Sequence, residues 1–97
     1  MNFVILGSPK CLSIKEMTAL IYGIGGNVQG EVSKRTDYLI VSEGDQSKYN
    51  AMKRSEAYLY VNLLQAKKHK IKVIDETEFL EMMVSELLAK VDLLQKN

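Results

Sequence analysis

The 97-residue chain has no tryptophan and only one cysteine, one proline and one histidine. Each shortage removes a class of protein. With Cys11 alone there is no internal disulfide, and a zinc centre would lack most of its usual sulfur ligands. Cys11 is therefore expected as a buried or half-buried bystander rather than a reactive thiol. His69 stands among Lys67, Lys68 and Lys70 without a second His or Cys nearby, which suits a solvated helix-end residue better than a metal ligand or catalytic base. There is no Ser-His-Asp set, paired-histidine motif or metal-ligand spacing, so neither a catalytic centre nor a cofactor is expected. No run approaches the roughly 20 apolar residues that cross a bilayer, and the N-terminus lacks the basic start and small-residue cleavage site of a signal peptide; a cytoplasmic protein is expected. No internal repeat, linker or low-complexity stretch is present.

What remains is the composition of one compact domain. Hydrophobic residues make up 46% and charged residues 26% of the chain, enough for a single core and too little for a second. The formal net charge is +1, but it is unevenly spread. Residues 1–74 hold eleven Lys/Arg against six Asp/Glu, whereas residues 75–97 hold two against six. A basic body that could meet phosphates thus precedes an acidic terminal segment.

Phe3-Val4-Ile5-Leu6, closed by Gly7, is a continuous apolar run of the kind that forms a strand buried on both faces. Ser13-Ile14-Lys15-Glu16 fits a capping box, and Ile14, Met17, Leu20, Ile21 and Ile24 then recur at helical spacing. Gly25-Gly26 follows as a stop signal, because glycine enters left-handed geometry cheaply and permits close packing on the next segment. Asn27 to Gly30 is short and polar, as in an edge strand. Lys34-Arg35-Thr36-Asp37 makes a turn before a second buried-strand run, Tyr38-Leu39-Ile40-Val41. Residues 42–47 read as a loop, and a largely apolar helix is predicted over about Lys53 to Lys68. Lys70 to Ile74 supplies the last strand. Asp75-Glu76-Thr77-Glu78 is a second capping box, opening a helix that runs nearly to the end. Strands and helices alternating at short spacing predict an α/β fold with a mostly parallel sheet covered on both faces.

The order strand, helix, Gly-Gly, strand, strand, with Thr36-Asp37 before Tyr38-Leu39-Ile40-Val41 and with Ile71 to Phe79 followed by Leu80, resembles a BRCT domain. The likeness is greatest to the modules attached to bacterial NAD-dependent DNA ligases and exonuclease-type polymerase subunits, in which phenylalanine stands where many eukaryotic members carry tryptophan. The structural motif residues are then Gly25, Gly26, Thr36 and Phe79. The resemblance implies a four-stranded parallel sheet in the order 2-1-3-4 flanked by three helices, with residues 1–84 as the BRCT-like domain and 85–97 as an extension of the last helix. It also implies a non-catalytic module of DNA replication or repair in the bacterial cytosol, binding protein partners or DNA ends.

In phosphate-binding members a Ser or Thr before the glycine that ends the first strand donates a hydrogen bond, helped by the next amide, and a lysine of the second helix supplies charge. Leu6 occupies that position here, followed by Gly7 and Ser8, so Ser8 could substitute only through a shifted loop. The lysine is Lys53, from the pattern Lys-x-x-x-Ala, or Lys48. Lys34, Arg35 and Arg54 are candidate DNA contacts, joined by the dense stretch Lys67 to Lys72 if these residues share a surface. Tyr49, Tyr58 and Tyr60 suit core and packing roles better than stacking on bases.

Leu80, Val84, Leu87, Val91 and Leu94 follow the 4-3-4-3 spacing of a coiled-coil seam. This predicts a homodimer through the last helix, with Leu87, Val91 and Leu94 as its contacts. Two further readings are a self-associating adaptor without DNA contact and a small nucleotide-binding protein. The glycines from Gly23 to Gly26 suit the latter poorly, since they follow a helix instead of opening one.

Overall fold

The structure, a computed structural model, describes residues 1–42 and 56–96. These residues form strand β1 (Asn2–Gly7), helix α1 (Ile14–Gly23), strands β2 (Asn27–Val28) and β3 (Tyr38–Ser42), helix α2 (Glu56–Ala66), strand β4 (Lys72–Ile74) and helix α3 (Glu76–Gln95). The four strands make one sheet in the order β2-β1-β3-β4, and every neighbouring pair is parallel. The expected α/β architecture is therefore the observed one. β1 and β3 occupy the middle, in register from Phe3 opposite Tyr38 to Gly7 opposite Ser42.

Because side chains alternate across a strand, the two apolar runs feed both faces of the sheet. Phe3, Ile40 and Ile74 point to one side, where they pack with Met17 and Ile21 of α1 and with Phe79 and Met83 of α3. Val4, Leu39 and Val41 point to the other, against Val61 and Leu64 of α2 and Ile71. Phe3 stacks on Tyr38 at 5.0 Å and meets Phe79 edge-on at 6.4 Å. Such pairs add about 0.5–1.5 kcal/mol beyond simple burial.

Both capping boxes form. The Glu16 amide donates to Ser13 Oγ at 3.0 Å while the Ser13 amide donates to Glu16 Oε1 at 3.0 Å. At α3, Glu78 N–H donates to Asp75 Oδ1 at 2.7 Å, and the Asp75 amide returns to Glu78 Oε1 at 3.3 Å. The end of α1 shows why two glycines stand there. Gly25 has φ +86°, and the Gly25 and Gly26 amides close the helix onto Tyr22 O and Ile21 O at 3.0 and 2.9 Å, which is a Schellman motif.

Two packing expectations change. Ile14 is half exposed rather than part of the buried stripe of α1. As the first helical residue it sits before the helix reaches the sheet, and Leu12 packs on the core from the preceding loop instead. Cys11 is exposed rather than buried, because its neighbour Leu12 is the residue turned inward.

Candidate functional site

The strands of a parallel sheet all point one way, so the chain's candidate binding residues divide between two ends. At the carboxyl end, Gly7 finishes β1 with φ +95°, a left-handed geometry that suits glycine. Ser8 follows it and is exposed. Leu6 is turned toward the α2 side and packs on Val4, Val41 and their neighbours, so a hydrophobic contact stands where the resemblance expects a hydroxyl donor. Beside Gly7 in the sheet, Ser42 is 2% exposed and its Oγ has no hydrogen-bond partner among the described residues. It escaped sequence reading because nothing local marks a serine at a strand end as buried.

The loop leaving Gly7 is fastened by a residue of α3. The Lys10 and Cys11 amides donate to Glu76 Oε1 and Oε2 at 2.6 and 2.7 Å. Burial pushes the Glu76 carboxyl up, but hydrogen bonds from the amides of Lys10, Cys11 and Leu12 and from the Cys11 thiol outweigh it and hold the group below the ordinary carboxylate range. Asp75 and Glu78 cap the helix between themselves, which leaves Glu76 free to face the loop. These loop amides already hold an anion.

Lys34 and Arg35 lie at the opposite, amino end. Thr36 is buried there, its Oγ1 accepting from the Ser33 amide at 2.9 Å and donating to Gln29 Oε1 at 2.7 Å. Asp37 Oδ2 accepts from the Asn2 amide at 2.7 Å, and Asn2 Nδ2 donates to Arg35 O at 2.8 Å. The Thr-Asp pair thus ties the β2–β3 connection to the start of β1. The five residue steps of β1 from Asn2 to Gly7, at about 3.3 Å each, separate this end from Gly7 by roughly 17 Å. The structure does not bring Lys34 and Arg35 together with Gly7 and Ser8.

It does bring them to the same end as the other basic stretch. α2 closes at Lys67 and Lys68, the latter with φ +68°, and the Lys68 and His69 amides donate to Gln65 O and Leu64 O at 2.9 and 3.0 Å. The Lys72 amide then donates to Asp37 O at 3.0 Å, which fixes Lys70 and Lys72 beside the start of β3. Lys34, Arg35, Lys67, Lys68, Lys70 and Lys72 are all exposed, and His69 is half-buried.

Lys48, Lys53, Arg54 and Tyr49 lie outside the described residues. Tyr58 packs on the α2-side core, whereas Tyr60 is exposed and lines an open hollow of about 440 Å³ with Leu6, Val32 and Glu56. On α3 the last buried side chain among the described residues is Met83; Val84, Leu87, Leu88, Val91, Leu93 and Leu94 are exposed. No described helix is long and apolar enough to cross a membrane.

A four-stranded parallel sheet in this order, with α1 and α3 on one face and α2 on the other, defines a small α/β domain. The family model described as "BRCA1 C Terminus (BRCT) domain" matches residues 1–83. The chain belongs to the BRCT domain family. It is similar to a DNA ligase of Campylobacter jejuni, 40% identical over 82 residues, and to DNA ligases of Sulfurihydrogenibium azorense and Thermotoga maritima, 34% and 32% identical over 83 residues each. These alignments cover 84 to 86% of this chain but only 10% of each ligase, so the chain spans about a tenth of their length.

Proposed function

We propose that the chain is a non-catalytic binding module of DNA replication or repair in the bacterial cytoplasm, which holds DNA through its phosphates or recruits a protein partner. The observation that carries this reading is the alignment of most of the chain with proteins that are DNA ligases. The module accompanies an enzyme acting on DNA ends and performs no turnover itself. At the carboxyl end, Gly7 and Ser8 are the contact for a terminal phosphate or a protein partner, as distinct from the duplex backbone, with Lys48 or Lys53 as the accompanying cation. An ammonium on a phosphate gives a charge-assisted bond worth about 1.5–3 kcal/mol, and less where water reaches it. The Leu6 side chain contributes none, so this end binds phosphate weakly. The reading is tested with a labelled duplex carrying a 5′ phosphate. A mobility shift at moderate salt supports it, and a shift absent at all salt concentrations removes the DNA arm.

The exposed stripe on α3 favours a second property, self-association. Val84 and Val91 fall at one seam position and Leu87 and Leu94 at the other, the β-branched and Leu combination that suits two parallel strands. An apolar stripe of this length in water favours burial against another surface. The seam is free of charge, so a second copy of the same helix meets no repulsion along it. If duplex binding fails and dimerisation persists, the chain is an adaptor without DNA contact.

A further inference from the structure

We propose that duplex DNA is held at the amino end of the sheet, by Lys34 and Arg35 on one loop and Lys67, Lys68 and Lys70 on another, and not at the carboxyl end around Gly7. The assignment rests on the DNA-binding reading above and names the surface that performs it. Two hydrogen bonds onto main-chain carbonyls bring these loops to one end: Asn2 Nδ2 donates to Arg35 O at 2.8 Å, and the Lys72 amide donates to Asp37 O at 3.0 Å. The five cations are exposed, and among the described residues none of them enters a salt bridge. Asp37, the nearest acid in sequence to Arg35, is already bonded to the Asn2 amide.

A helix C-terminus attracts cations through its dipole, which accounts for Lys67 and Lys68. It does not account for Lys34, Arg35 or Lys70, which are in loops. Among the described residues the carboxyl end offers less free positive charge. Leu6 replaces a donor, and the Lys10 and Cys11 amides are filled by the Glu76 carboxylate. Among the described residues, free positive charge is therefore concentrated where the strands begin. Exposed, mostly lysine cations on two loops suit the phosphodiester backbone, read by charge spacing without base contacts. Duplex held there leaves Gly7, Ser8 and the carboxyl end open to a second ligand at the same time.

The test measures the affinity of the full chain for a blunt duplex across a salt series. It compares wild type with the double variants Lys34→Gln/Arg35→Gln and Lys67→Gln/Lys70→Gln, and with Lys15→Gln on the first turn of α1 as a control. Each double variant should bind roughly tenfold or more weakly at low salt and flatten the log-log salt slope by about two, while Lys15→Gln leaves both unchanged. Circular dichroism melts confirm that the variants fold. Wild-type binding that the double variants do not weaken, or that Lys15→Gln weakens as much, overturns the assignment while leaving the DNA-binding reading intact. No duplex binding by wild type overturns both. Binding to polyglutamate with none to duplex assigns this end to an acidic protein and overturns the inference.

Discussion

A Cβ on Gly26 would lie 3.0 Å from Ile21 Cγ2 and 3.2 Å from Ile21 O, with Met1 O also at 3.2 Å. Two of these three neighbours are backbone oxygens that cannot swing aside, so the end of α1 and the entry to β1 meet at a distance only glycine allows. Gly26→Ala should therefore destabilise the domain by about 1–3 kcal/mol. Gly25→Ala, with open space around it but φ +86°, should cost about 1–2 kcal/mol through backbone geometry alone. Denaturant midpoints of the two variants check both values.

Phe79 is fully buried between the sheet and α1, edge-on to Phe3. Phe79→Ala should cost about 3–5 kcal/mol, a large part of the stability of so small a domain. Thermal melts followed by circular dichroism will show a transition shifted far downward or lost.

Glu76 couples the fold to pH. Its folded pKa is held below the ordinary value, so its contribution is fully present above the unfolded pKa and is lost as pH falls through the folded one. Glu16 acts in the same direction, lowered by its hydrogen bonds from the Ser13 main chain and side chain. Stability should hold at neutral pH and decline in the acid range below the usual Glu value, with faster exchange of the Lys10 and Cys11 amides. In Glu76→Gln the exchange at these amides should be faster at neutral pH, and the acid response smaller. An identical pH profile in wild type and variant would remove this role.

Lys68 is the only non-glycine residue with positive φ among the described residues. A left-handed lysine carries strain of about 1 kcal/mol or more that glycine does not. Lys68→Gly should leave stability unchanged or raise it by up to about 1 kcal/mol, yet weaken duplex binding by the loss of one cation. Opposite signs for melting temperature and affinity would separate this residue's structural and binding roles.

Leu87→Lys together with Leu94→Lys should convert a dimer to a monomer by light scattering, with little change in the melting of the body. A mass that does not change with the substitutions would remove the α3 seam as an interface.

The elements of this fold are written locally, which is why the sequence reveals them. Ser13 with Glu16 and Asp75 with Glu78 mark two helix starts within four residues each, and the runs from Phe3 and Tyr38 mark the central strands. Thr36 is recognisable through the family pattern, while its reason, a bridge from Gln29 to Ser33, emerges only in three dimensions. The arrangement of the site is not local. Glu76 reaches amides 65 and 66 residues earlier in the chain, and no periodicity encodes that. Lys34 and Arg35 share an end with Lys67 to Lys72 because parallel crossovers return the chain to the same end of the sheet, something that follows from topology rather than spacing. Ile14 misled because helical spacing ignores where along its length a helix first touches the sheet.

Met83 is the last side chain of α3 that the core encloses, and the helix continues to Gln95. At about 1.5 Å per residue this makes an outrigger of roughly 18 Å. Its large apolar side chains are exposed, so substitutions there leave the packing of the body largely untouched. A ligand bound near the tip would thus be held at a set remove from the sheet.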